Sequence, residues 1–405
     1  MATIAILGTF DTKGDEHAFI AERVRQRGHR AFLIDVGTLD APRLQPDVSR
    51  ERVLEAVGVD IAELMRRRDR GESVAAMAKA APVFLKRLVE SGQIDGVISL
   101  GGGGGTAIAT AAMRALPIGF PKVMVSTLAG GNVAPYVGTK DIVMFPSIVD
   151  VAGINRISRQ ILSRAAGAIV GMVETVPAVG VDRPVIAASQ FGNTTRCVDH
   201  ARQRLEKAGF EVVVFHATGV GGRTMESLIE SGMVSGVLDI TTTEWADELV
   251  GGILAAGPTR LEAAARSGVP AIITPGCLDM VNFGGPESVP AGFKGRRFYA
   301  HNPQVTLMRT TPEECDRLGR VIAEKLNLSR GPVSVLLPLR AISIISAPGQ
   351  PFHDPEADRA LFASLKAGLR ADIPVRELDM EINDPCFADA CADELLAMLR
   401  QPIAV

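Results

Sequence analysis

The chain has 405 residues, of which 47% are hydrophobic, 22% charged and only 4% aromatic, and its formal net charge is −3. This length exceeds what one ordinary hydrophobic core holds and points to two domains, while the composition excludes wholesale disorder. The charge shows no basic bias, so extended nucleic-acid binding has no footing.

The N-terminus, MATIAILGTFDTKGDEH, lacks the basic region of a signal peptide, and TIAIL reads as a first strand. HAFIAERVRQRG then reads as a helix and RAFLIDV as a second strand. The long insertion RLQPDVSRERVLEAVGVDIAELMRRRDRGESVAAMAK predicts added helices, with MRRRDR as a solvated turn. VFLKRLVESG, DGVISL and TAIATAAMRAL follow as helix, buried strand and helix, and KVMV as the next strand. DVAGINRISRQILSRAAGAIVGMVETV predicts a long helix closing the first domain before the linker VPAVGVDRP. The most apolar window here carries Glu174 and Pro177 and falls short of a membrane span. A second series begins with PVIAAS, CVDHARQRLEKAG and EVVVFH. Such alternation marks βαβ units and parallel sheets.

The two series share their spacing. Phe10 precedes Gly28 as Phe191 precedes Gly209, SGQIDGVISL aligns with SGMVSGVLDI, and PKVMVSTLAGG is followed later by PAIITPGCLDM. The reading is an α/β protein of two Rossmann-like, doubly wound parallel-sheet domains related by an internal pseudo-repeat, over 1–180 and 181–405. Cys197, Cys277, Cys315, Cys386 and Cys391 lack CxxC spacing and the histidines are scattered, so reduced core thiols, a cytoplasmic setting and no metal site are expected.

Five consecutive glycines, Gly101 to Gly105, separate DGVISL from its helix, at the sheet edge where such folds bind ligands. Gly101, Gly102, Gly103, Gly104 and Gly105 can adopt positive φ and converge several N–H groups on an anion, with the Thr106 hydroxyl beside them. Close strand–helix packing explains one or two of these glycines but not five. Two further loops are expected on the same edge. GTFDTKG supplies Thr9, Phe10, Asp11, Thr12 and Lys13, and STLAGG supplies Ser126, Thr127, Gly130 and Gly131. Lys13 would meet a phosphate, whereas Asp11 would hold a ribose hydroxyl, a magnesium ion or the Lys13 ammonium, or with Thr12 would simply cap its helix. The ligand's identity does not follow from these residues, since neither a Walker loop nor GxGxxG follows the first strand.

GTFDTK, GGGGGT, STLAGG, FGNTT, TPGCLDM and HNPQVTLMRTT together resemble the UPF0261 or Tm-1-like ATP-binding family over nearly the whole chain. The resemblance implies two Rossmann-like subdomains, dimerisation or higher homo-oligomer assembly, and ATP at GTFDTK, the glycine loop and STLAGG; magnesium is an expected cofactor only through the reading of Asp11 above. GGGGGT also echoes the GGxGT element of phosphofructokinases and NAD kinases, but Gly104 stands at its acidic position, which removes support for kinase chemistry.

The second half replaces the glycines with Thr241, Thr242, Thr243 and Glu244, so it is not expected to bind a second triphosphate in the same way. His216, Arg223, Asp279, Asn282, His301, Asn302, Arg340, His353 and Asp354 are further polar groups near strand ends. Gathered at an interdomain crevice, they would make an alternative enzyme, a hydrolase or carbon–carbon lyase on a small acidic metabolite. Glu244 or His301 would be its general base, and Arg223, Thr242, Thr243, Asp279, Asn282, Asn302 and Arg340 its substrate contacts. The blander readings are a cap for Asp354, a loop brace for Asp279 and a structural histidine for His301. DMVNFGGPESVPAGFKGRRF is long for a connection and is expected to be a mobile lid. A protein-interaction scaffold is the third reading.

Overall fold

The computed structural model describes residues 1–67, 69–176, 180 and 182–400, so residues 177–179 and 181 of the linker VPAVGVDRP and Arg68 of MRRRDR lie outside the described residues. The chain forms two compact units, Met1–Val179 and Gly180–Val405.

In the first unit β1 (Thr3–Gly8) leads into α1 (Phe10–Gln26) and β2 (Arg30–Asp35). The insertion then forms α2 (Arg50–Glu55), α3 (Ile61–Arg67) and α4 (Arg70–Glu90). β3 (Gly96–Gly101), α5 (Gly103–Arg114), β4 (Lys122–Ser126), α6 (Ala134–Val137), β5 (Val143–Pro146) and α7 (Arg156–Glu174) complete it. The five strands are parallel in the order β2-β1-β3-β4-β5. β3 and β4 are buried along their whole length, as strands covered on both faces must be, which is why they read as unbroken apolar runs. Leu7, Val97 and Met124 face a core shared with Met77, Ile108 and Met113 of α4 and α5. Ile4, Ile98 and Val125 face the opposite core with Ile20, Leu162 and Ile169 of α1 and α7. The long closing helix begins at a capping box in which Asn155 accepts from the Ser158 amide and the Ser158 hydroxyl answers at the Asn155 amide.

The second unit starts with β6 (Val185–Gln190), α8 (Thr195–Lys207), β7 (Glu211–His216), α9 (Val220–Glu230), β8 (Gly236–Thr241), α10 (Glu244–Val250), α11 (Glu262–Ser267) and β9 (Ala271–Gly276). β10 (Met280–Phe283), β11 (Phe298–Asn302) and β12 (Val305–Arg309) follow, then α12 (Pro312–Leu326), β13 (Val333–Pro338), α13 (Pro355–Gly368), β14 (Val375–Leu378) and α14 (Pro385–Arg400). Its parallel sheet runs β14-β13-β9-β8-β6-β7, the order of the first unit with one strand added. The pseudo-repeat extends to register: Ile4 pairs with Gly96 as Ile186 pairs with Gly236. Gly28 and Gly209, and likewise Gly92 and Gly232, end equivalent helices with positive φ, a conformation only glycine adopts freely.

The segment expected to be a mobile lid is instead folded. β10 and β11 flank β12 in a three-stranded antiparallel sheet, and the intervening residues make two short 3-10 turns at Pro286–Ser288 and Ala291–Phe293. Buried Phe283, Leu307 and Met308 anchor this layer, and such apolar contacts are what a lid would lack. Among the described residues, no helix is long and apolar enough to cross a membrane.

Candidate functional site

With the strand order of the first unit, the chain switches sides between β1 and β3, and a cleft opens at their carboxyl ends. A cavity of about 250 Å³ lies there, lined by Thr9, Asp11, Thr12, Lys13, Thr38, Leu39, Arg70, Val74, Gly102 to Gly105, Ile108 and Asp150.

The glycines enter the cleft differently from the sequence expectation. None of Gly101 to Gly105 has positive φ. Gly102 is the N-cap, with φ −84° and ψ −157°, and Gly103, Gly104 and Gly105 are the first turn of α5. No N-cap side chain bonds into this helix, as none does in α1, α8 or α10; what sets α5 apart is a first turn made of glycine that lines the cavity. The first-turn N–H groups are therefore left for an outside acceptor. A Cβ on Gly101 would press to 3.0 Å on Gly105 Cα, so strand–helix packing accounts for that pair. A Cβ on Gly103 would meet nothing within 4 Å, and on Gly104 only ordinary contacts with Val74 and Arg70 at 3.6 and 3.9 Å.

The cleft's other wall is shaped by burial. Lys13 departs from helical geometry (φ −134°, ψ 36°), and its carbonyl accepts from His17 Nδ1 at 2.7 Å. His17 is fully buried, and that burial pushes its pKa down to about 4, so it stays neutral. The Lys13 ammonium donates to the Val151 carbonyl, tying the loop after β5 to α1. Buried Asp11 is not a helix cap. Its Oδ2 accepts from the Thr38 and Leu39 amides at 3.1 and 2.9 Å, and Oδ1 has no hydrogen-bond partner among the described residues. Thr12 donates to Thr9 Oγ1 at 3.1 Å and remains at the surface.

Three expected ligand residues turn inward instead. Phe10 is fully buried in the core beside His17. The Thr106 and Ser126 hydroxyls bond each other at 2.7 Å, and both residues are fully buried, because they bridge α5 to β4 behind the cleft. Thr127 and Gly130 line an adjoining cavity of about 450 Å³ with Ser126 and Pro146 to Asp150, and Gly131 donates to the Leu128 carbonyl in the turn above it.

At the equivalent edge of the second unit, side chains fill the space. Thr241, Thr242, Thr243 and Glu244 are all buried. Glu244 Oε1 accepts from the Gly219 and Gly222 amides at 2.7 and 3.0 Å, and Oε2 accepts from Arg260 Nε at 2.7 Å. Arg260 also grips both Asp239 oxygens, at 2.6 and 2.7 Å, and reaches Glu226 at 3.1 Å. Burial disfavours the guanidinium charge, but these carboxylates outweigh it and hold Arg260 protonated well above the ordinary arginine range. Glu244 thus occupies the N-terminus of α9 with the protein's own carboxylate and is held by Arg260, a geometry that does not support a general base. Thr242 and Thr243 donate to the carbonyls of Thr274 and Met280.

The remaining polar candidates are not gathered around Glu244. His301 and Asn302 are exposed at the β11–β12 hairpin, where Asn302 Oδ1 accepts from the Gln304 amide at 2.9 Å. Arg340 forms an exposed bidentate pair with Asp379, and Arg223 donates to the Ala255 carbonyl. Asn282 braces buried Asp247, and Asp279, pushed up to about 6 by burial, accepts from Ser343. Asp354 caps α13 and His353 Nδ1 lies 3.1 Å from the Ser346 carbonyl. Cys277 is buried, which pushes its thiol well above the usual range and leaves it no reactive thiolate.

A family model described as the N-terminal domain of the uncharacterised protein family UPF0261 matches residues 2–178, and one for its C-terminal domain matches 183–399. The chain belongs to the UPF0261 family. A UPF0261 protein of Clostridium tetani is 49% identical over 98% of this chain and 99% of its own length. The ToMV resistance protein Tm-1(GCR237) of Solanum lycopersicum is 40% identical over 96% of this chain, which spans 55% of the tomato protein. Among solved structures, Acinetobacter baumannii MurG aligns over 98% of this chain and 100% of its own at 12% identity, with a TM-score of 0.23.

Two features of this UPF0261 chain escape sequence reading. Arg70, read as part of a solvated turn, opens α4 and lines the glycine cleft; nothing in MRRRDR distinguishes it from its neighbours. Arg260 also carries no local mark, but its need was visible: Asp239 interrupts an otherwise apolar buried strand, and a buried carboxylate requires a partner.

Proposed function

We propose that this protein binds a phosphate-bearing nucleotide, ATP being the ligand the Tm-1-like resemblance implies, in the β1–β3 cleft of its first unit. The observation that carries this reading is the bare first turn of α5. Gly103 and Gly104 need neither positive φ nor missing-Cβ space for the fold itself. Each costs up to about 1 kcal/mol of helix propensity relative to alanine. A ligand approaching the backbone supplies the missing reason. An anion at such a terminus gains about 0.3–1 kcal/mol from the helix dipole, up to about 2 when partly buried. Lys13 and Arg70 line the same cavity and add positive charge. Together the Gly103, Gly104 and Gly105 amides, Lys13 and Arg70 would hold the phosphates.

Isothermal titration with ATP, ADP and NAD, with and without magnesium, tests the proposal. ATP should bind, and Lys13→Ala and Arg70→Ala should each weaken it several-fold while Glu244→Gln leaves affinity unchanged in folded protein. Absence of heat and of any thermal stabilisation with all three ligands would overturn it.

A further inference from the structure

We infer that the cavity next to the glycine turn seats the flat ring of a nucleoside, with Ile148 as its apolar contact. This rests on the nucleotide reading above and deepens it by assigning where the base goes.

Ile148 has φ +64°, a left-handed backbone that a β-branched residue adopts only under strain, and its side chain is 72% exposed. The Val149 amide donates to the Ser147 carbonyl at 2.7 Å across it, closing a three-residue turn of the rarer, strained hand. Several contacts hold the turn in place. The Ser147 hydroxyl donates to the Val149 carbonyl at 2.6 Å, the Ser147 amide donates to the Ser126 carbonyl at 3.1 Å, and Lys13 holds Val151. Glycine would relieve the strain, and an exposed isoleucine adds nothing to the core. Neither packing nor backbone geometry therefore accounts for this residue.

What lies beside it does. Ile148 and Pro146 give an apolar face to the cavity of about 450 Å³, and Thr127 adds a hydroxyl. Asp150 lines both this cavity and the glycine cleft, and a Cβ on Gly102 would stand 3.7 Å from Thr127 Oγ1, so the two spaces meet at the N-cap of α5. A ligand with phosphates at Gly103 would extend its other end past Gly102 toward Ile148. A flat, largely apolar ring with polar edges suits such a wall, and a volume of this order accommodates a base with part of its ribose.

Titration of wild type, Ile148→Gly and Ile148→Asn with ATP and with inorganic tripolyphosphate tests this; asparagine tolerates the left-handed backbone but removes the apolar face. Both variants should melt at or above the wild-type temperature, bind ATP about tenfold more weakly and bind tripolyphosphate within about twofold of wild type. ATP affinity unchanged in both variants overturns the inference, as does wild-type protein that binds tripolyphosphate as tightly as ATP; either outcome leaves the phosphate seat standing. Failure of wild type to bind either compound would remove the nucleotide reading and this one with it.

Discussion

Gly103 is a residue whose own fold does not ask for glycine. Its backbone is helical and the space where a side chain would go is open. Gly103→Ala should therefore raise stability by up to about 1 kcal/mol, read by thermal or urea unfolding, while ATP affinity falls several-fold. A variant that is more stable and binds equally well would refute the ligand explanation. Gly8 offers the contrast. A Cβ there would overlap the buried His17 ring, so Gly8→Ala should destabilise the protein with no ligand present.

Among elements, α5 and α10 show how one βα unit diverged into an open and a filled form. The open one begins with bare glycines; the filled one begins with Glu244, whose carboxylate reaches across to the first amides of α9 and joins the Asp239–Glu226–Arg260 network. Arg260→Met removes the cation that pairs with Asp239, Glu244 and Glu226 and strands these carboxylates, so a loss of about 3–5 kcal/mol is expected in chemical denaturation. ATP binding to the surviving folded protein should be unaffected. At the far end of α10, burial pushes Asp247 up to about 7 although Asn282 donates to it through its side chain at 2.7 Å and its amide at 2.9 Å. The folded state thus holds this proton more tightly than the unfolded chain does. Its stabilising contribution is complete below the ordinary carboxylate range and is lost as pH rises toward 7. The stability difference between wild type and Asp247→Asn should shift in the variant's favour over that window, by at most about 1.4 kcal/mol per pH unit, and level off above it. A difference independent of pH would contradict a raised Asp247.

On the scale of the whole molecule, two units share one strand order, yet the proposed ligand site belongs to the first alone. Saturating ATP should slow amide hydrogen exchange in α5 and in the loops after β1 and β5, and leave β8, β9 and α10 at their unliganded rates. Equal protection of both sheets would argue against a site confined to the first unit. The pattern of legibility follows from the same architecture. Strands such as DGVISL and VSVLLP are buried on both faces and announce themselves as apolar runs, and Asn155 and Thr311 mark helix starts by their caps. DMVNFGGPESVPAGFKGRRF reads as a lid because it is long for a connection: β10 has only four residues, and two short turns separate it from β11. Its partner strands meet only through long-range pairing, which local periodicity does not register.

The sequence by itself determined the alternation of strands and helices, the repeat, and the place of the glycines at a strand-to-helix junction, because these depend on side-chain period and local backbone preference. The tertiary structure decided which way each polar group faces. It turned Thr106 toward Ser126, carried Arg70 from a distant helix to the glycine cleft, and closed the second unit's edge with Arg260. Orientation and partnership of this kind arise when buried charges and hydroxyls must find hydrogen-bond partners across the chain, a requirement that packing satisfies and that residues adjacent in sequence do not reveal.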